Sequence, residues 1–165
     1  MQVVSNTSPL SALSIIGRLG LLRMQFGTIR IPKAVWTELS RLEHASAKQA
    51  LEQAHAEGWI ELHETANRPM VGILGVTLDE GESEAIAMSL EWPADLLIMD
   101  ESYGRAMSRN LKIRITGTLA VLLKAKRDGE ISSLKFEMDR LVQDAGFFVS
   151  DRVRNTFLTG AGEAL

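Results

Sequence analysis

The segments VVSNTSPL at residues 3–10 and LLIMDE at residues 96–101 decide the fold that we predict for this chain. Each segment is an apolar run that stops at a polar residue, Asn6 or Asp100, and is followed by residues that favour a helix start. Buried parallel strands show this pattern, and they present functional side chains at their carboxyl ends. The two segments therefore predict a polar site at one edge of a parallel sheet.

The rest of the chain alternates between strand and helix patterns. Further strands are predicted at residues 29–31, 59–63 and 112–115, and Ser8 with Pro9 is predicted to start the first helix. We therefore predict an α/β fold of three layers, in which helices flank a central, mostly parallel sheet. The 165 residues predict a single domain, 1–165, with a mobile surface loop at 64–76 and a C-terminal extension at 146–165.

Composition excludes several classes of site. The chain has no cysteine, so neither disulfides nor thiolate zinc sites can form, and its three histidines lack a ligand-like spacing. No apolar run reaches the roughly 18 residues of a membrane span, and the N-terminus does not look like a signal peptide. We expect a cytoplasmic protein without a membrane partner.

Charge is distributed unevenly, although the net charge is only −3. Residues 77–101 hold eight acidic and no basic residues, whereas residues 102–127 hold seven basic and no acidic residues. Carboxylates that hold a cation beside Arg and Lys that hold a phosphodiester backbone would give this pattern. Two ordinary solvated faces would give it as well, and charge alone does not separate the two.

Two helices carry candidate acidic ligands. Glu38 lies at the margin of an apolar helical stripe, where a carboxylate needs a partner or a metal unless it extends out to solvent. Asp79 and Glu82 have the spacing of a capping box, so capping is the role that we assign to them. Glu84 lies two residues further on and remains free to act as a ligand.

The ends of the later strands supply more candidates. Asp100 is either a ligand at the sheet edge or the N-cap of the helix that follows, and Glu101 is either a second ligand or a favourable charge at that helix start. In the segment ITGT at residues 115–118, Thr116 and Thr118 could contact a phosphate.

Taken in order, these motifs resemble a known family. The strings are NTSPL at 6–10, IPKAVWTEL at 31–39, DEGESEAIA at 79–87, LLIMDE at 96–101, ITGTLAVLLKAK at 115–126 and GFFVS at 146–150. The chain resembles the PIN-domain nucleases, and within them a VapC-like group of toxin relatives, over nearly its whole length.

The resemblance implies a site for Mg²⁺ or Mn²⁺. Matching motif to motif gives the ligand and catalytic roles to Asn6, Glu38, Glu84 and Asp100, with Glu101 as a further metal ligand. The family usually has Asp where this chain has Asn6, which leaves the site about one charge short. We therefore expect Asn6→Asp to raise activity.

The implied function is metal-assisted hydrolysis of RNA by the toxin of a toxin–antitoxin pair. Its expected partners are RNA, a small antitoxin protein and a second copy of the chain in a homodimer. We expect a basic rim for the RNA phosphates at Arg105, Arg109, Lys124 and Arg127. The alternative is a PIN-like module that binds RNA or protein without cleaving it because of Asn6.

Overall fold

The computed structural model describes all 165 residues and contains a single five-stranded sheet. Its strands are β1 (Val3–Ser5), β2 (Ile29–Pro32), β3 (Ile60–His63), β4 (Leu96–Ile98) and β5 (Ile115–Thr116). They lie in the order β3-β2-β1-β4-β5, and every neighbouring pair is parallel. The predicted three-layer α/β fold is confirmed, with a sheet that is wholly parallel.

Ten helices connect and cover these strands. They are α1 (Thr7–Ile15), α2 (Gly20–Phe26), α3 (Lys33–Ser40), α4 (Ala45–Ala56), α5 (Arg68–Leu74), α6 (Glu80–Glu91), α7 (Ser102–Asn110), α8 (Thr118–Arg127), α9 (Leu134–Ala145) and α10 (Asp151–Gly160). None of them is long and apolar enough to cross a membrane.

Alternate residues of the central strands bury their side chains in two separate cores. Val3 and Ile98 point into the larger core, together with residues of α1, α2, α4, α8 and α9. Val4, Leu97 and Met99 point into the smaller core, together with residues of α6. Because both faces of β1 and β4 are covered by helices, these strands are continuous apolar runs in the sequence.

The starts of α1 and β5 differ from the prediction by two residues or more, whereas β2 and β3 differ by a single residue. Helix α1 begins at Thr7, with Asn6 in the N-cap position, so Ser8 and Pro9 lie inside its first turn instead of starting it. Strand β5 begins at Ile115, three residues later than the predicted start. Lys112 has a φ of 59°, which interrupts an extended backbone at that point.

Residues 64–76 were expected to be a loop, but they contain helix α5. Asn67 caps this helix through a hydrogen bond from the Met70 N–H, and Pro69 fits its first turn. The Glu91 carboxylate accepts hydrogen bonds from the N–H groups of Ala66, at 2.9 Å, and Asn67, at 3.4 Å. Pro69 and Gly75 therefore mark the two ends of this helix, whereas Gly72 lies inside it. The mobility of the segment stays a prediction.

The C-terminal residues pack on the rest of the domain. Helix α10 contacts α8 and α9, and its Leu158 is 1% exposed. Beyond α10, the Glu163 carboxylate accepts hydrogen bonds from the N–H groups of Leu134, at 2.6 Å, and Lys135, at 2.9 Å. The segment 146–165 therefore contributes to the core and closes the start of α9.

Candidate active site

The sheet opens a crevice between β1 and β4. From β1 the chain continues to β2 and β3 on one side, whereas β4 leads to β5 on the other. Connections that leave neighbouring strands in opposite directions open a crevice at the carboxyl ends of those strands. Asn6 follows β1 directly, and Asp100 and Glu101 follow β4 after Met99. The Asn6 N–H donates to Ile98 O at 3.0 Å. The topology therefore brings these three residues together.

Asn6 is buried and directly bonded to Glu101. Its side chain is 2% exposed, and its Nδ2 donates a hydrogen bond to Oε2 of Glu101 at 3.0 Å. The other carboxylate oxygen of Glu101 accepts a hydrogen bond from the Ser8 hydroxyl. Oδ1 of Asn6 is buried and has no hydrogen-bond partner. An acceptor without a partner is uncommon inside a protein and is a position at which a cation can bind.

Asp100 is held at the start of α8. Its two oxygens accept hydrogen bonds from the backbone N–H of Thr118, at 2.8 Å, and from the Thr118 hydroxyl, at 2.6 Å. Burial raises the pKa of Asp100, while the bonds from Thr118 oppose this shift. Thr118 therefore orients Asp100, and its donors are not free for a phosphate. The N-cap position of α7 is Glu101 and not Asp100.

Glu38 and Glu82 supply further carboxylates. Glu38 accepts a hydrogen bond from the Thr7 hydroxyl, and a Cβ added at Gly81 would lie 2.6 Å from its Oε1. Burial raises the pKa of Glu38, and the charges of Asp79 and Glu101 raise it further. A glycine at position 81 therefore lets the start of α6 approach this carboxylate.

Glu82 forms the predicted capping box with Asp79 and also belongs to the acidic group. Its Oε2 accepts from the Asp79 N–H at 3.1 Å, and Asp79 accepts from the Glu82 N–H at 2.8 Å. The side chain is nevertheless buried, and burial raises its pKa, as do the charges of Asp79, Glu101 and Glu38. Sequence reasoning found only the cap, because a capping box is a local pattern that does not show which tertiary neighbours surround it.

Glu84 points to a different environment from Glu82. Its Oε2 accepts from the Ala34 N–H at 3.0 Å, and its Oε1 accepts from Nη1 of Arg68 at 2.7 Å. Glu84 and Glu38 both line a cavity of about 270 Å³, together with Lys33 and Arg41. The structure therefore places Glu84 beside the acidic group, in an ion pair with Arg68.

Of the predicted rim residues, only Arg105 lines the crevice. Its Nη1 donates to Met99 O at 2.8 Å, and its pKa is lowered by burial and by the nearby charge of Arg109. Lys124 is paired with Asp128 in the last turn of α8, and Arg127 donates to Gly160 O. Both lie at the opposite end of α8 from Thr118. Sequence reasoning missed Lys33, Arg41 and Arg68, which come from separate parts of the chain and form no run of basic residues.

The potential metal ligands at this site are oxygen atoms of the kind that a hard divalent cation prefers. Asn6 Oδ1 and the carboxylates of Glu38, Glu82, Asp100 and Glu101 are all oxygen donors, which Mg²⁺ and Mn²⁺ prefer. No three acidic or histidine side chains converge closely enough to hold one ion in this arrangement. Thr7, Ser8, Thr118 and the Asp79 N–H hold the carboxylates individually. A bound cation would have to compete with these hydrogen bonds.

A family model for the PIN domain matches residues 2–163, which is nearly the whole chain. No curated protein sequence matches it. PIN domains are generally nucleases that use divalent metal ions, so the match supports a hydrolytic function on nucleic acid. The parallel sheet and the acidic crevice at the ends of β1 and β4 agree with this match. The chain belongs to the PIN-domain family.

Proposed function

We propose that this protein is a PIN-type ribonuclease that depends on Mg²⁺ or Mn²⁺. The observation that carries the proposal is Oδ1 of Asn6, a buried acceptor without a partner at the crevice where Glu101 and Asp100 follow β4. A polar oxygen is costly to bury unless it is paired, and a hard cation would pair it. The acidic residues around it supply the negative charge that such an ion needs.

Within this proposal, we assign the metal to Asn6, Glu38, Asp100 and Glu101 of the predicted set, and we add Glu82. Glu84 takes a supporting role, because it is in an ion pair with Arg68 and because it ties the start of α3 to α5. Thr7, Ser8 and Thr118 hold the carboxylates in position through hydroxyl donors. Within this proposal Asn6 is a neutral ligand, and the neighbouring Glu101 supplies the negative charge that the usual Asp would provide.

The chemistry follows from these positions. When bound, a Mg²⁺ or Mn²⁺ ion supplies Lewis acidity, which acidifies water and offsets charge that builds up on the phosphate. Arg105 reaches the same crevice as Asp100 and offers a fixed charge to a phosphate oxygen. Thr116 is half-buried at the end of β5, next to the Gly117–Thr118 turn, and is a secondary candidate for a phosphate contact.

The test is cleavage of a mixed, fluorescently labelled RNA in Mn²⁺, in Mg²⁺ and in EDTA. The wild type should cleave only with metal, and Glu38→Gln and Asp100→Asn should each lose cleavage by at least about tenfold. Glu130→Gln is the matched control, since Glu130 is an exposed acid in the turn after α8. Equal cleavage by all four proteins, or cleavage that persists in EDTA, would refute the proposal.

We further propose that the protein is the cytoplasmic toxin of a toxin–antitoxin pair and acts as a homodimer. The VapC-like motifs support the toxin role, and the homodimer is what the same resemblance implies. Induced expression should arrest growth, and a small adjacent reading frame should relieve the arrest. Light scattering should give about twice the chain mass. Growth without arrest, or a monomeric mass, would contradict the corresponding part.

A second function, RNA or protein binding without cleavage, is favoured by one contact. Asn6 donates to Glu101, so the crevice satisfies part of its negative charge without any cation. If neither Mn²⁺ nor Mg²⁺ raises the melting temperature or supports cleavage, while the protein still binds RNA, this binding function should replace the nuclease.

A further inference from the structure

A groove of about 440 Å³ extends from the crevice towards the C-terminal segment. Asp100 and Arg105 supply charged groups to its lining, and Leu119, Val153 and Phe157 are among its apolar lining residues. Ligand pockets in proteins commonly have volumes of about 300–1,000 Å³. The groove therefore has the size and the mixed polar and apolar lining of a site for an amphipathic small group.

Phe148 lies at the groove and is 87% exposed, the largest exposed fraction of any big apolar side chain in the protein. It belongs to residues 146–150, which have no regular secondary structure between α9 and α10. Since its ring contributes almost nothing to either core, folding does not account for a phenylalanine at this place. An exposed aromatic ring beside a charged crevice is typical of a surface on which a base can stack.

Arg105 also lines the groove and can contact a phosphate there. Its one hydrogen bond goes to a backbone carbonyl, Met99 O, and the negative charge of Asp100 acts on it without a hydrogen bond between the two side chains. Gly117 makes this arrangement possible, because a Cβ there would lie 2.7 Å from Oδ1 of Asp100 and 3.0 Å from Nη1 of Arg105. A cation and an aromatic side chain that line the same groove match the phosphate and the base of one nucleotide.

We propose that this groove binds the nucleobase next to the phosphodiester that is cut, with Phe148 as the stacking face and Arg105 as the phosphate contact. The inference rests on the proposed function, since it takes RNA as the ligand. Continuity of the groove with Asp100 favours a nucleotide over a protein segment, because a strand whose phosphate lies at the acidic crevice must place a neighbouring base nearby. Stacking tolerates any base, so the site should select unpaired RNA without strong sequence preference.

The test compares the binding of two ligands in EDTA, which removes the metal that the proposed cleavage requires. One is a fluorescent ten-nucleotide oligouridine, and the other is an abasic oligomer of equal length and charge. The wild type should bind the oligouridine more tightly. Phe148→Ala should weaken oligouridine binding by about fivefold or more and leave abasic binding unchanged. Phe148→Trp should restore the preference, and Phe136→Ala, which removes another exposed phenylalanine, should have no effect.

Each alternative gives a distinct result. If the wild type binds the oligouridine and the abasic oligomer equally, or if Phe148→Ala weakens the binding of both oligomers equally, the base site is refuted. If Phe148→Ala changes the mass in solution and leaves the base preference intact, the groove serves a protein interface and the proposal fails. If the wild type binds neither oligomer in EDTA, the base site is refuted, whereas the proposed function is refuted only by the absence of metal-dependent cleavage. In the cleavage assay, Phe148→Ala should raise KM with little change in kcat.

Discussion

Replacing Asn6 by Asp should destabilise the metal-free protein and make it respond strongly to Mn²⁺. The substitution is nearly isosteric, but the donor Nδ2, which lies 3.0 Å from Oε2 of Glu101, becomes an oxygen. A hydrogen bond to a charged group is worth about 1.5–3 kcal/mol, and its loss is accompanied by repulsion between two carboxylates. Protonation of one carboxyl limits that repulsion, so we expect a total cost of about 2–4 kcal/mol.

This cost should be visible in thermal melts. For a domain of this size, 1 kcal/mol shifts Tm by about 2–4 °C, so Asn6→Asp in EDTA should melt about 5–15 °C below the wild type. Mn²⁺ at one hundred times its Kd would return about 2.7 kcal/mol, which recovers most of the loss. Cleavage with saturating Mn²⁺ should then exceed that of the wild type, because a charged ligand replaces a neutral one.

Asn155→Asp is the matched control, because Asn155 is exposed on α10 and its substitution makes the same change in net charge. It should change stability by no more than about 0.5 kcal/mol. If Asn6→Asp in EDTA melts at the temperature of this control, the assigned contact with Glu101 is wrong. If Asn6→Asp is destabilised but Mn²⁺ raises the Tm of neither this variant nor the wild type, the metal assignment is wrong.

Three further outcomes are expected. Gly117→Ala should cost about 1–3 kcal/mol of stability and abolish cleavage, since its Cβ would meet Asp100 and Arg105. In the control Gly20→Ala the added Cβ meets nothing within 4 Å and should not destabilise the protein. Urea unfolding compares the two variants, and equal midpoints would contradict the close approach of Gly117 to Asp100 and Arg105. Burial raises the pKa of Glu38 above 4.5, so the folded protein binds the Glu38 proton more tightly than the unfolded chain, and stability in EDTA should rise as pH falls from 7 towards 4.5. Glu38→Gln should raise Tm at pH 7 and flatten the dependence of Tm on pH. An unchanged pH dependence in this variant would count against the reasoning. Partial burial opposes ionisation of Glu163, but hydrogen bonds from the N–H groups of Lys135 and Leu134 lower its pKa, so its contribution to stability is present above pH 4.5 and is lost as the pH falls below the folded pKa. Glu163→Ala should cost about 1–3 kcal/mol of stability at pH 7. A Tm equal to that of Glu130→Ala would refute the role of this carboxylate.

Local signals in the sequence were enough for most of the fold. The apolar runs that end at Asn6 and Asp100 identified β1 and β4, because strands covered on both faces need continuous apolar side chains. The capping box of Asp79 and Glu82 marked the start of α6 correctly. In contrast, Gly72 and Gly75 suggested a loop, whereas contacts from Glu91, fifteen or more residues away in the chain, stabilise helix α5.

The site could be predicted only in part, because tertiary contacts decide which way each side chain points. Glu82 and Glu84 are two residues apart on one helix, so their directions differ, but the sequence did not show which of them faces Glu38 and Glu101. The structure pairs Glu84 with Arg68 and places Glu82 with the other carboxylates. Similarly, Lys124 and Arg127 belong to the basic stretch of sequence, but helix length carries them away from the crevice.

The contacts of the crevice also bear on how the protein folds. Asn6 and Glu101 are 95 residues apart in the chain, and Ser8 and Glu101 are 93 apart. Contacts of such long sequence separation close large loops, which slows their formation relative to local helices. The crowding of carboxylates should therefore arise after most of the chain has collapsed. Substitutions that relieve the crowding of carboxylates should slow unfolding more than they accelerate folding. The destabilisation that this crowding causes should therefore be measurable in the unfolding arm of a chevron plot.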